Sequence, residues 1–367
     1  EVESALENGK KAQKQWLSLR REQRSKILFR ASEILRERND ELAELEVRDT
    51  GKPMSEASVE DVVSAADCVE YFSKALLNIE DQRIQLGHNY ADVIKVPIGV
   101  VGGIGAWNYP IQIAAWKSAP ALAAGNAMIY KPSELTPMSA NKLAEIYIEA
   151  GVPAGLFNVL HGAEELGKML VDHPEIRKIS LTGEVQTGIK VMQNAAKNLK
   201  HLTLELGGKS PLIIFDDADI ENAVQGAMIG NFYTQGEICT NGTRVFVHQS
   251  IKDKFLQKLL EPTEKLIMGD PMDPNTHVGS LISKEHLAKV KSYVDQGLEE
   301  GAKLLCGGNA REDLGGNYFE PTIFAECTDD MTISKEEIFG PVLTLLTFKD
   351  EEEAIRRANN TPYGLAG

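Results

Sequence analysis

A two-domain α/β protein is predicted from three features: a length of 367 residues, an all-helical opening, and short apolar runs alternating with helical stretches from residue 100 onward. At roughly 150 residues per domain, the length allows two to three domains. Hydrophobic residues at 43% and charged residues at 25% exclude intrinsic disorder as the general state. The first 80 residues read as helix. Ile27, Leu28, Ala31, Ile34, Leu35, Leu42 and Leu45 recur at three and four, which predicts one helix from Ser25 to Leu45, stopped by Gly51-Lys52-Pro53. A second apolar stripe runs through Val59, Val62, Val63, Ala66, Val69 and Phe72. The segment Gln82–Pro97 reads as a hairpin excursion.

Strands are then expected at 100–104, 127–130, 157–160, 178–181 and 211–215, and helices at 110–124, 138–150, 163–172 and 187–198. Strands alternating with helices of this length are βαβ units, which build a parallel sheet with ligands beyond the carboxyl ends of its strands. A second α/β domain begins near Glu205–Gly208. Its helices are expected at 219–232, 250–266 and 284–299, and its strands at 244–248, 302–306 and 342–348. The predicted domains are 1–205 and 206–367.

The 39 basic and 54 acidic residues leave a net charge of −15, which argues against nucleic acid or an anionic membrane as a general partner. No apolar run approaches the roughly 20 residues of a membrane span. Cys68, Cys239, Cys306 and Cys327 form no C-x-x-C pair. They suit neither a disulfide framework nor a metal site, and point to a reducing, cytoplasmic compartment. The chain opens on Glu1 and closes in an apolar, glycine-rich stretch, so it reads as cut at both ends.

Two phosphate-binding motifs fail on inspection. GGKS at 207–210 imitates the end of a Walker A loop, but the first glycine of that motif would be Thr203, and Pro211 follows at once. Gly103-Ile104-Gly105 begins a dinucleotide fingerprint whose third glycine would be Asn108. The stretch Thr182-Gly183 to Gly188, between a strand and a helix, is left as a place where backbone N–H groups meet a pyrophosphate.

Three residues carry candidate chemistry. An isolated cysteine is usually a small buried hydrophobe. Cys239 instead has Gly236, Thr240, Asn241, Gly242 and Thr243 around it, a loop composition in which a thiol can ionise and attack. Cys68, Cys306 and Cys327 lack that setting and read as packing residues. Glu205 ends an apolar strand between Leu204 and Leu206, where lost solvation would raise its pKa toward that of a general base; a satisfied structural acid is the alternative. The Asn108 amide could serve a developing oxyanion or cap the helix that Pro110 begins.

The windows WNYP (107–110), KPSELTP (131–137), TGEVQTG (182–188), ELGGKSP (205–211), GEICTNGTR (236–244) and EEIFGPV (336–342) occur in an order and spacing that resembles the aldehyde dehydrogenase superfamily over essentially the whole chain. GIGAWNYPIQIAAWKSAPALAAGNAM (103–128) and LELGGKSPLIIF (204–215) are most similar to its betaine aldehyde and 4-trimethylaminobutyraldehyde group. The resemblance implies a Rossmann-like cofactor-binding domain, a catalytic α/β domain, and a hairpin belonging to an oligomerisation domain, in a homodimer or homotetramer. It implies that Cys239 adds to an aldehyde carbonyl, that the Asn108 amide and the Cys239 N–H hold the oxyanion, and that Glu205 activates water against the resulting thioester.

By the same resemblance, Lys131 and Glu134 contact the adenosine ribose of NAD. Glu337 and Phe339 hold the nicotinamide ribose and border its ring, and Trp107, Gly183 and Gly208 lie near the cofactor. A carboxylate at 134 favours NAD over NADP because it repels a 2′-phosphate. Glu184 departs from the serine of many members; it must turn away from the pyrophosphate, pair with a cation, or weaken binding. Tyr109, Trp116 and Tyr233 match an aromatic box for a quaternary ammonium. The expected reaction is NAD-dependent oxidation of an amino or trimethylammonio aldehyde. The alternatives are a general aliphatic aldehyde dehydrogenase and a non-catalytic, crystallin-like protein. A CoA-dependent or phosphorylating variant is disfavoured by Glu205, the base for hydrolysis.

Overall fold

Residues 1–367 are described by a computed structural model. The chain forms two compact units: Glu1–Asp49 with Ala57–Glu205, and Thr50–Glu56 with Leu206–Gly367. Residues 50–56 thus leave the helical opening and pack with the second unit.

The opening comprises α1 (Val2–Ser18), α2 (Arg21–Glu37), α3 (Asn39–Thr50), α4 (Met54–Ala57) and α5 (Asp61–Ala75). The single helix expected over 25–45 is in fact two. The break lies at Arg38 (φ −103°, ψ 19°), just before Asn39 and Asp40, residue types that favour a helix start. The Asn39 side chain donates to the Ser58 carbonyl at 3.0 Å, an alternative to continuing the helix. On α1, Trp16 is fully buried and its indole N–H donates to the Leu122 carbonyl at 2.8 Å. β1 (Gln82–Leu86) and β2 (Asn89–Val93) form an antiparallel hairpin whose residues are almost all exposed.

β3 (Val100–Ile104), α6 (Pro110–Ala123), β4 (Ala127–Lys131), α7 (Met138–Ala150), β5 (Phe157–Val159), α8 (Glu164–Asp172), β6 (Lys178–Thr182), α9 (Val185–Ala196) and β7 (His201–Glu205) follow in strict alternation. The strand order is β5-β4-β3-β6-β7, all parallel. Successive strands step outward from β3 in one direction and then, from β6, in the other. That reversal is the switch point at which ligands of such sheets bind.

The second unit contains β8 (Pro211–Ile214), α10 (Ile220–Phe232), β9 (Arg244–His248), α11 (Lys252–Glu264), α12 (Lys284–Glu299), β10 (Lys303–Cys306), β11 (Thr322–Ala325), α13 (Thr332–Lys335), β12 (Val342–Phe348) and α14 (Glu351–Ala358). Its order is β10-β11-β12-β9-β8, parallel except for the β10–β11 pair. β8, which sequence spacing grouped with the earlier strands, is the edge of this second sheet. Alternation assigns the core: Val245 and Val247 of β9 join Phe255 and Leu259 on one face, while Phe246 joins Phe324 and Phe348 on the other. Both faces are covered, so the strands read as continuous apolar runs.

Candidate active site

At the carboxyl ends of β3, β4 and β6, the first unit encloses a cavity of about 570 Å³, within the usual range for a small-molecule site. Ile104, Lys131 and Thr182 close those three strands, and Trp107, Glu134 and Gly183 continue the wall. Lys131 is buried; its Nζ donates to the Pro132 carbonyl at 3.0 Å and to Glu134 Oε2 at 3.2 Å. The Glu134 carboxylate stays exposed. An ammonium donor beside an open carboxylate acceptor fits the two hydroxyls of a ribose. Glu184 is exposed as the N-cap residue of α9 and shares the cavity rim with Lys168 and Lys190, of which Lys168 is paired with Glu164 and Glu165. A helix N-terminus favours a carboxylate.

In the second unit, Cys239 stands half-buried in a turn between α10 and β9. The residues leading to it are strained. Thr234, Gln235 and Gly236 have φ of 49°, 52° and 75°, a left-handed run that costs a non-glycine residue about 1–2 kcal/mol. Buried carboxylates hold the turn. Glu56 Oε2 accepts from the Thr234 N–H (2.7 Å) and hydroxyl (3.0 Å). Glu237 accepts from the Ile282 N–H (3.1 Å) and the Gln235 amide (3.5 Å). Burial pushes the Glu237 carboxyl well above the ordinary range, with the Ile282 N–H and Lys52 pulling it back.

Glycines then let three chain segments meet. A Cβ on Gly207 would lie 1.9 Å from Glu337 Oε2, and one on Gly208 would lie 2.6 Å from the Cys239 carbonyl. The Gly208 N–H donates to Glu337 Oε1 at 3.0 Å. ELGGKSP thus lies against the Cys239 backbone of GEICTNGTR and against the Glu337 side-chain carboxylate of EEIFGPV. The other thiols sit in packing roles: burial raises Cys68 and Cys327 to about 12 and Cys306 to about 11.

Comparison with known proteins decides what such an arrangement belongs to. Residues 1–367 match the aldehyde dehydrogenase family. A betaine aldehyde dehydrogenase of Agrobacterium fabrum is 55% identical over 369 residues, covering 100% of this chain and 75% of its own length. A betaine aldehyde dehydrogenase of Vibrio vulnificus is 55% identical over 366 residues, covering 99% of this chain and 75% of that protein. The solved structure of a Bacillus cereus aldehyde dehydrogenase in complex with NAD+ superposes with a TM-score of 0.97 at 37% identity, covering 100% of this chain and 75% of that one. The chain belongs to the aldehyde dehydrogenase family.

Within this aldehyde dehydrogenase fold, the first unit carries Asn108, Tyr109, Trp116 and Glu205, and the second carries Tyr233, Cys239, Gly208, Glu337 and Phe339. Asn108 is buried just before α6. The capping role that sequence left open for it is filled otherwise: Tyr109 is the N-cap residue without a side-chain bond, and the Ile111 N–H reaches the buried Glu46 carboxylate at 3.2 and 3.4 Å. Tyr109 is buried, whereas Trp116 on the same helix is 50% exposed. Glu205 departs from expectation. It was expected to lose solvation, yet it is exposed, because β7 is an edge strand with no neighbour on its outer side.

Sequence reasoning missed several residues around these sites. Lys117 on α6 is buried and its Nζ donates to Ser180 Oγ at 3.1 Å. Burial lowers its ammonium to about 7, against the pull of the Glu205 carboxylate. Its signal was a single cation inside an otherwise apolar helix. Glu46, Glu56 and Glu237 gave no such signal, since each reads locally as an ordinary surface acid.

Proposed function

We propose that the chain oxidises an aldehyde to its carboxylic acid with NAD, and that an amino or trimethylammonio aldehyde, such as betaine aldehyde or 4-trimethylaminobutyraldehyde, is its substrate. The observation that carries this reading is the meeting of the Gly207-Gly208 backbone with the Cys239 backbone on one side and the Glu337 carboxylate on the other. It builds a glycine-lined floor beside a half-buried thiol.

In this reading Cys239 Sγ adds to the carbonyl carbon and forms a thiohemiacetal. The Asn108 side-chain amide and the Cys239 N–H donate to its oxyanion, where such donors are strongest. Lys131 and Glu134 hold the adenosine ribose, Glu337 the nicotinamide ribose, and Phe339, Trp107, Gly183 and Gly208 border the cofactor. NAD, when bound, supplies the acceptor for the hydride that leaves the substrate carbon. Glu205 then takes a proton from water as it attacks the Cys239 thioester, releasing the acid and restoring the thiol. Its exposure keeps it in reach of solvent water.

Tyr109, Trp116 and Tyr233 supply the aromatic faces for a trimethylammonium group, each contact worth about 0.5–2 kcal/mol. The relatives named betaine aldehyde dehydrogenase support that choice over a simple aliphatic chain. The test is NADH formation from betaine aldehyde against hexanal. A kcat/KM at least tenfold higher for betaine aldehyde is expected, and preference for hexanal overturns the substrate assignment.

Ile84, Leu86, Tyr90 and Val93 of the β1–β2 hairpin are exposed. They support a homodimer or homotetramer built through this hairpin. Light scattering of an Ile84→Glu, Tyr90→Glu variant is expected to show a smaller assembly, and an unchanged mass removes the hairpin from the interface. Cys68, Cys239, Cys306 and Cys327 are in no disulfide with one another, which accords with a reducing cytoplasm. No helix is long and apolar enough to cross a membrane.

A further inference from the structure

Phe339 is held in an unfavourable backbone conformation, with φ of 60°. A bulky side chain there costs about 1–2 kcal/mol and persists only where the surroundings enforce it. One face of α12 provides that enforcement. His286 Nε2 donates to the Phe339 carbonyl at 2.6 Å, and the imidazole meets the Phe339 ring edge-on at 6.2 Å. One turn later, Val290 would lie 2.6 Å from a Cβ on Gly340. Another turn on, the Tyr293 hydroxyl donates to Glu336 Oε2 at 2.8 Å. Positions 286, 290 and 293 share a helix face, and all three grip residues 336–340. From the opposite side, a Cβ on Gly236 would lie 2.3 Å from the Gly340 carbonyl.

We infer that His286 is a positioning residue for the cofactor site: its Nε2–H fixes the Phe339 carbonyl and thereby the ring that borders the nicotinamide. This rests on the reading of Phe339 as a cofactor contact. A carbonyl only accepts, so the proton must reside on Nε2. Glu237 Oε1 lies 3.7 Å from the same nitrogen, beyond a hydrogen bond. The Phe339–Gly340 peptide is therefore clasped between α12 and the turn that leads to Cys239. Releasing its carbonyl lets Phe339 relax toward negative φ, which swings the ring away from its place.

The experiment is a titration of NAD by intrinsic fluorescence, with KM values and melting midpoints, for His286→Leu, His286→Gln, Phe339→Ala and the His286→Leu, Phe339→Ala pair. Loss of one buried hydrogen bond is expected to raise the NAD Kd of His286→Leu about tenfold. The aldehyde KM should move less than about twofold, because the thiol turn keeps its own anchors. His286→Gln, whose amide donates to the same carbonyl, should recover most of the affinity. The double variant should bind NAD no more weakly than Phe339→Ala, since both changes act through one ring. If Phe339→Ala weakens NAD binding and His286→Leu does not, the role of His286 is wrong and the Phe339 contact stands. If Phe339→Ala leaves NAD binding unchanged, the contact itself is wrong and the inference falls with it. Equal losses in His286→Leu and His286→Gln, with lowered melting midpoints in both, mean a structural histidine and also overturn it.

Discussion

Four thiols with the same intrinsic chemistry occupy two kinds of place. Cys68, Cys306 and Cys327 lie against backbone carbonyls at 3.7–3.9 Å, where burial keeps them protonated. Cys239 is on a turn held by glycines and buried carboxylates. Replacing Cys239 with Ala is expected to lower kcat by at least about 10³-fold while NAD binding survives, since the nucleophile acts only in the chemical step. An active Cys239→Ala variant sinks the nucleophile assignment. Asn108 makes a second single-residue prediction. Asn108 is buried, so the melting midpoint of Asn108→Ala is to be read beside its rate per folded molecule. Its kcat should fall by about 10²–10³-fold from loss of an oxyanion donor. Asn108→Asp should be no better, because a carboxylate repels the developing charge. A large drop in stability with normal kcat per folded molecule would instead make Asn108 structural.

Between residue and domain, the decisive element is the left-handed run Thr234–Gly236. It exists because Glu56 and Glu237 satisfy it from within and because Gly236 has no Cβ to strike the Gly340 carbonyl. Gly236→Ala combines positive φ with a backbone clash, so it should destabilise the protein by at least about 2 kcal/mol. It should also lower kcat, because the next turn carries Cys239; chemical denaturation and kinetics on the folded fraction measure the two effects separately. A variant with parent stability and rate would show that the turn is not rigid. What sequence made legible follows the same division. Period and punctuation are local, so the strand–helix alternation from Val100 to Glu205, and the α12 and β12 ranges, were readable from neighbouring residues. The break at Arg38 was not, because apolar spacing carries across it while the signal lies in Asn39 and Asp40. The windows around Cys239, Lys131 and Glu337 were legible as patterns. Their supports were not: Glu46, Glu56 and His286 act 53 to 178 residues away from what they hold, and no local composition marks them.

Across the whole molecule, a net charge of −15 coexists with several buried cations, and the titration of two lysines among them, one in each unit, should shape the pH dependence of stability. Lys117 in the first unit and Lys209 in the second are both lowered from 10.5 to about 7, chiefly by burial. Below about 7 each is charged folded and unfolded, and the folded state carries the full cost of an interior ammonium. Between about 7 and 10.5 the folded lysine sheds its proton while the unfolded one keeps it. The unfolded chain then binds more protons, so stability rises with pH, at up to about 1.4 kcal/mol per pH unit for each lysine. The buried thiols act in the opposite sense. Cys68, Cys306 and Cys327 are raised from 9.0 to about 11–12, so above pH 9 the unfolded chain ionises them first and stability is lost. Two rising contributions meet three falling ones from there, which places the stability maximum near pH 9. Melting midpoints read from pH 6 to 11 should climb from 7 to 9 and then decline. Lys117→Met should flatten the climb of the first unit and Lys209→Met that of the second, since an apolar chain of similar reach carries no proton into the interior. Midpoints that fall from pH 7 to 9 in the parent, or keep their slope in both variants, would mean that these ammonium groups reach solvent and titrate as ordinary lysines.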